Sequence, residues 1–328
     1  MQSPSFQVEV SGQDVSAVLA DGLVSITVTD ERGYQSDEAS IVFTDLRTRY
    51  ALPRRGQLMT VALGYGGANI ACGTYHITKV SVSGPQRRIS VAARATPVGS
   101  KIIERRSTAW ADGLSLADIT RSIANRHGLI AAIHPEAAAI IPGHLNQQDE
   151  SDLNLLTRLG ALHGLTAKVQ DQRLILAPVG RDTTVSGLPQ TPSPLTPSDC
   201  DDWMLEIEDR DQVTAARAAW INPANGRREE VVVGSQTPDA RTEVVPGTKA
   251  TEQEALSAAR ARLNAAARNH LRASLSGPGR PEIRAEGLVV LAGFPDAELN
   301  GEWKVEKATH TLSGTLKTTL TLTPPTLA

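Results

Sequence analysis

Apolar and polar positions alternate through the first part of the chain. In Leu23-Val24-Ser25-Ile26-Thr27-Val28-Thr29, Val24, Ile26 and Val28 share one face and Ser25, Thr27 and Thr29 the other. That is the period of a half-buried strand. Phe6–Val10, Ala39–Thr44, Leu58–Leu63, Thr74–Val82 and Arg88–Ala93 read the same way. Asp30-Glu31-Arg32-Gly33, Pro53-Arg54-Arg55-Gly56, Gly64-Tyr65-Gly66-Gly67 and Ser83-Gly84-Pro85 punctuate them. Short strands at this spacing predict an antiparallel β-barrel or sandwich over residues 1–97.

The period then becomes helical. Leu116, Ile119 and Ile123 follow Ser115, which can cap a helix with Asp118 three residues on. A second helix starts near Ser151, with Leu153, Leu156, Leu159 and Leu162 as its stripe. His127-Gly128 and His163-Gly164 end the two helices, and Leu129–Ile133 and Leu165–Val169 follow as short apolar runs. The shared His-Gly-Leu-x-Ala describes a helix–turn–strand unit used twice, too few copies for a solenoid. Residues 98–182 therefore predict a smaller α/β middle domain. Residues 183–202, with Pro189, Pro192, Pro194 and Pro197 among Ser and Thr, read as a linker or long loop.

Residues 203–328 are β-rich again. Trp203–Glu208, Thr214–Ile221, Glu229–Val233, Glu282–Ala285, Leu288–Ala292, Glu302–Ser313 and Leu316–Thr323 read as strands. A long helix near 252–273 starts at the Thr251/Glu254 capping box, carries Leu256, Ala259, Leu263, Ala266 and His270, and stops before Gly277-Pro278-Gly279. The fold class predicted is α+β, mainly β: two antiparallel barrel or sandwich domains around a smaller α/β region.

Composition narrows the function. With 328 residues, 40% hydrophobic and 21% charged, the chain can bury real cores. Lys+Arg 33 against Asp+Glu 36 gives a net charge of -3, which argues against a general nucleic-acid binder. Trp 4, Tyr 4 and Phe 3 are too few for a base- or sugar-stacking platform. No apolar run approaches a membrane span, and Met1–Ser5 lacks the pattern of a secretion leader, so cytosolic synthesis is expected. Cys72 and Cys200 read as plain thiols, neither a zinc set nor a disulfide framework.

A search for chemistry yields no catalytic, cofactor or metal site. There is no G-x-S-x-G, H-E-x-x-H, Walker loop or G-x-G-x-x-G. Gly64-Tyr65-Gly66-Gly67 lies between strands and reads as a hairpin, because a phosphate loop needs a following helix. His127 and His163 read as helix-end residues that complement the dipole; His76, His134, His144, His270 and His310 have no partner at ligand spacing. Asp149, Glu150 and Asp152 read as a helix-start cluster, the alternative being the carboxylates of a cell-wall or polysaccharide hydrolase. Asp199, Asp201 and Asp202 read as solvated. Arg54-Arg55, Arg87-Arg88, Arg105-Arg106 and Arg227-Arg228 form no single stripe. Trp203, Trp220 and Trp303 read as core or interface anchors, the alternative being a receptor- or carbohydrate-binding pocket.

At Ser115–Gly128, at Asn146–Leu159 with its N-Q-x-x-E-S-D-x-x-L-L-x-R-L pattern, and at His163-Gly164, the chain resembles the phage late control protein D family. These are hub proteins of contractile tails, related to the hub part of type VI secretion spike proteins. Asn300–Val305, Thr309-His310 and Thr318–Leu322 are similar to the family's ending. The resemblance implies tube-like barrels at 1–97 and 203–328 and a homotrimer at the tail tip. Three chains with two barrels each would match a sixfold tail tube above and a threefold spike below. It further implies other baseplate proteins as partners, genome DNA passing through without specific binding, and no membrane insertion. The place implied is the virion tail baseplate, assembled in the host bacterial cytoplasm. No catalytic residue, cofactor or metal comes with it.

Overall fold

In the computed structural model, the described residues are 3–33, 37–45, 50–95, 101–180, 183–207, 213–235, 237, 240–269 and 271–325. Strands account for 51% and helices for 19%, so the chain is α+β and mainly β.

The opening segments form Pro4–Val10 (β1), Gln13–Asp14 (β2), Ser16–Ala20 (α1), Leu23–Glu31 (β3), Glu38–Thr44 (β4), Leu58–Tyr65 (β5), Ala68–Ser83 (β6) and Arg88–Arg94 (β7). They pair antiparallel in the order β3-β4-β7-β6-β5-β1-β2. The inward alternation buries Ile26, Val28, Ile41, Leu63, Ile77 and Ile89 in one core. The β5–β6 turn is the hairpin its glycines predict: Tyr65 pairs with Ala68, and Gly66 and Gly67 hold φ of 59° and 87°, the left-handed region such a turn needs.

The middle region holds Arg105–Ala109 (β8), Leu116–Arg126 (α2), Ile130–Ile133 (β9), Pro135–Ala138 (α3), Asn146–Ser151 (β10), Asp152–His163 (α4), Leu165–Gln170 (β11) and Arg173–Pro178 (β12). Ser115 and Asp118 form a reciprocal capping box on α2. Gly128 and Gly164 take φ of 65° and 68° just past the helix ends, the left-handed stop expected of them. The two helix–strand units meet through β12, which runs parallel to β9 and antiparallel to β11. Sequence alternation misses β8 and β10, because Arg-Arg-Ser-Thr-Ala and Asn-Gln-Gln-Asp-Glu-Ser carry no apolar face.

The last part contains Ser193–Leu195 (β13), Asp202–Ile207 (β14), Ala215–Asn222 (β15), Arg227–Gly234 (β16), Thr242–Lys249 (β17), Glu252–Asn269 (α5), Leu271–Pro278 (β18), Leu288–Leu291 (β19), Gly301–Ser313 (β20) and Thr315–Thr323 (β21). Three expectations need correction. The stretch read as linker or loop supplies β13, which pairs with β19; Pro194 is tolerated because that strand lies at an edge. The long helix ends at Asn269, and Ala273 sits in β18 opposite Leu322; His270 lies outside the described residues. Glu282–Ala285 forms no strand: behind Pro281, Ile283 N donates to Arg280 O at 3.0 Å and Gly287 N to Arg284 O at 3.0 Å, closing turns. Helix α5 covers its own sheet, β16-β15-β17, laying Ala255 and Ala259 against Ala216, Ala218 and Trp220. Alanines on both sides let helix and sheet approach closely.

Two relations organise the whole. The first body's strand order, β3-β4-β7-β6-β5-β1, recurs as β14-β18-β21-β20-β19-β13. Only the last pair differs in direction: β1 runs antiparallel to β5 and β13 parallel to β19. In addition, Lys307–Leu312 of β20 pairs with Glu31–Ile26 of β3. One sheet therefore runs through both bodies, and Leu312 and Leu316 at the β20–β21 turn enter the first body's core.

Candidate functional site

The continuous sheet buries one face and presents the other as a polar wall. Residues directly opposite in register share a face. One row runs Asp202, Ser276, Thr319, Thr309, Thr29, Glu38 and Arg94. A parallel row runs Lys317, Thr311, Thr27, Ser40, Ala92 and Lys79. Hydroxyls dominate, and several cations are matched by acids: Arg94 with Glu38 at 2.7 Å, Lys307 with Glu31 at 3.5 Å, Lys317 with Asp201 at 3.2 Å. Asp201 is thus an ion-pair partner, not merely solvated. A hydroxyl wall with balanced charge binds water well and gives phosphates little purchase.

The N-Q-x-x-E-S-D pattern builds a different structure, a buried polar clasp. Gln147 accepts from Trp110 Nε1 at 3.2 Å and donates to Asp152 Oδ1 at 2.9 Å and to Glu150 O at 2.8 Å. Asp152 is fully buried and its Oδ2 meets His127 Nε2 at 2.7 Å and Arg126 Nη1 at 2.9 Å. Burial acts to raise the Asp152 pKa, but the bonds from Gln147, His127 and Arg126 outweigh it and hold the carboxyl below its ordinary value. Glu150 grips Arg158 through both oxygens at 3.1 and 2.8 Å, and Ser151 caps α4 by accepting from Asn154 N at 3.2 Å. Leu155, Leu156 and Leu159 then point into the core. Asp152 stands in the first turn of α4, as its helix-start reading has it, and in addition ties the end of α2 to the start of α4. Asp149 is exposed and pairs with Arg105 at 3.0 Å. The three acids thus have separate partners: Asp152 lies in the clasp, Glu150 on Arg158 and Asp149 on Arg105.

The histidines separate in the same way. His127 joins the clasp, whereas His163 is mostly buried, its Nε2 without a hydrogen-bond partner among the described residues, and burial lowers its pKa. His134 caps α3, His144 meets Asp112 at 3.0 Å, and buried His310 bonds Thr318 and Ile283 O. Trp203 and Trp303 share the last body's core, with Trp203 edge-on to Phe294 at 5.4 Å. Trp220 belongs to the α5 layer, so the three do not converge on a pocket. Cys72 and Cys200 are free thiols.

A second buried cluster escaped sequence reasoning. Lys168 Nζ of β11 lies 2.6 Å from Asp30 Oδ1 and 2.6 Å from Asp37 Oδ1, and donates to Glu31 O at 2.9 Å. Asp30 also accepts from Ala285 N at 3.2 Å. First body, middle region and last body meet at this point. The available signal was charge inside an alternating strand, Asp30 in the phase of Ile26 and Val28 in β3; Lys168 gave none, since it stands in the polar phase of β11 with Thr166 and Gln170.

Comparison with known proteins defines the class first. Over 98% of both chains, the fold is similar to the 43 kDa tail protein of prophage MuSo2 from Shewanella oneidensis, with TM-score 0.74 at 12% identity. It also resembles, with TM-score 0.56 and 13% identity over 98% of this chain and 76% of the other, an E. coli type VI secretion component described as similar to T4 phage tail proteins. A curated relative, the "Probable baseplate hub protein" of Escherichia phage P2, is 27% identical over 97% of this chain and 92% of its own. The sequence profile of the phage tail baseplate hub (GPD) family matches residues 44–316, and the chain belongs to that family. Its place is the tail baseplate.

Proposed function

We propose that this hub is a homotrimeric structural adaptor, without enzymatic activity, between a sixfold tail tube and a threefold spike. The observation that carries the reading is the recurrence of one strand order in both sheet bodies of a single chain. Three copies with one such body each repeat a contact three times; with two, they offer six similar surfaces. Residues 1–97 and 203–328 act as the tube-like barrels, 98–182 as the middle domain facing other baseplate proteins or the spike, and 183–202 as the connection. The hydroxyl wall faces the lumen, where genome DNA slides past without specific binding. The chain assembles in the host bacterial cytoplasm and does not insert into membrane.

The test is a mass and symmetry measurement on the purified chain, alone and with its spike and tube proteins. A trimer, alone or on adding the spike, supports the adaptor. A monomer under both conditions, or a closed ring of any other order, rejects it.

A further inference from the structure

Helices α4 and α5 lie side by side and leave a groove between them. Its floor is made of small residues: Gly160, Ala161 and Gly164 of the α4 segment, and Ala258, Ala261 and Ala265 of α5. Their spacings of three and four place each set on one helix face. A side-chain carbon at Gly164 would lie 3.6 Å from Ala261 Cβ, so the two helices converge there. The cavity holds about 630 Å³, room for several side chains of a helix and too little for a folded domain.

Among the described residues, four cations line this groove and no carboxylate does: Arg32 beyond the end of β3, Arg158 of α4, Lys249 of β17 and Arg262 of α5. The chain as a whole carries a net charge of -3, so the excess is local. Glu306 holds Arg32 at 3.2 Å, Glu150 holds Arg158 at 2.8 Å and Glu243 holds Arg262, all from outside the groove lining. Lys249 has no acid partner among the described residues; its Nζ donates to Pro246 O at 3.4 Å. Thr166 of β11 also lines the groove. It is 5% exposed, and its Oγ1 has no hydrogen-bond partner among the described residues. A buried hydroxyl without a partner costs free energy that an incoming acceptor recovers.

We propose that this groove docks an acidic amphipathic helix of a neighbouring tail protein. Its apolar side chains settle on the glycine and alanine floor, where two helices can receive a third. Its carboxylates face Lys249 and the three arginines, and one polar side chain reaching inward accepts from Thr166. The cations come from four separate elements, which suits acids spaced along a segment and not one small anion. This rests on the reading that the middle region faces other tail proteins, not on the trimer, and it names the chemistry of one contact.

Photo-cross-linking in assembled tails tests the docking. Benzoylphenylalanine replaces Ala161, an exposed residue of the groove lining, in one hub. In two control hubs it replaces Ile130 or Ile141, which are 63% and 62% exposed elsewhere on the middle region. Peptide mass spectrometry should place the Ala161 link in a segment of another tail protein with Asp or Glu at helical spacing. That segment, as a synthetic peptide, should bind the purified hub. Lys249→Glu should weaken this binding by at least about tenfold, because it sets like charges together. Thr166→Val should weaken it less, and Lys249→Arg should bind as the parent does. If a control links to another tail protein while Ala161 links to a second hub chain, to a segment without acids or to nothing, the groove proposal falls and the middle region's outward role stands. No link to another tail protein from any of the three positions overturns both. A peptide that does not bind, or binds Lys249→Glu as well as the parent, overturns the charge pairing.

Discussion

Two carboxylates on one buried ammonium make the Lys168 cluster sensitive to charge. Burial chiefly, then Asp30, raises the Asp37 pKa from 3.8 to about 7, although Lys168 opposes both. The native state thus keeps a proton that the unfolded chain releases from the ordinary carboxylate range upward. This contribution is fully present below the unfolded pKa and is lost as pH rises towards about 7. His163 and His310, lowered chiefly by burial, act oppositely and remove stability as pH falls below their ordinary value of 6.5. A variant comparison isolates Asp37. Asp37→Asn should melt higher than the parent at pH 8, and the difference should shrink at pH 5. Lys168→Met leaves two buried acids without their cation and should cost about 3–5 kcal/mol at pH 8, partly recovered at pH 5. Thermal melts of the three proteins at both pH values check the order.

At the level of elements, the clasp at the start of α4 joins two helices that sequence periodicity could find only separately. Asp152→Asn keeps the shape but removes the charge that Arg126 and His127 share. Loss of a buried ion-pair partner predicts destabilisation of about 3 kcal/mol. Asp149→Asn, at an exposed pair, should change stability by less than about 1 kcal/mol. Urea unfolding of both variants distinguishes a structural clasp from a surface cluster. The same region marks the limit of legibility. Helices α2 and α4 were readable because caps, apolar stripes and terminal glycines all agree. Strand β10 was not, since its pairing with β8 depends on backbone bonds between wholly polar segments. Asp152 was legible as a helix-start acid but not as a buried one, because its partners lie on α2 and β10. The short strand inside 183–202 was not legible for a related reason: Ser-Pro-Leu is a strand only because β19 accepts it.

Across the whole molecule, the alternation of Thr and Ser with Val, Ile and Leu does two things at once. Its apolar half fills both cores, and its hydroxyl half spreads over one uninterrupted face from β14 to β7. Neither segment alone announces this, because the face exists only once β20 leaves its own body to pair with β3. If that face lines a DNA passage, its neutrality is a functional property that substitution can remove. Ser40→Arg together with Thr319→Arg lie in different bodies and add two cations per chain to the wall. The parent protein should show no salt-sensitive retention of duplex DNA at 150 mM salt, a physiological order of ionic strength. The variant should bind, with affinity falling steeply as salt rises, by a log–log slope of about 0.9 for each phosphate newly neutralised. Fluorescence anisotropy across a salt series reads that slope, and a variant indistinguishable from its parent would place the face away from the DNA path.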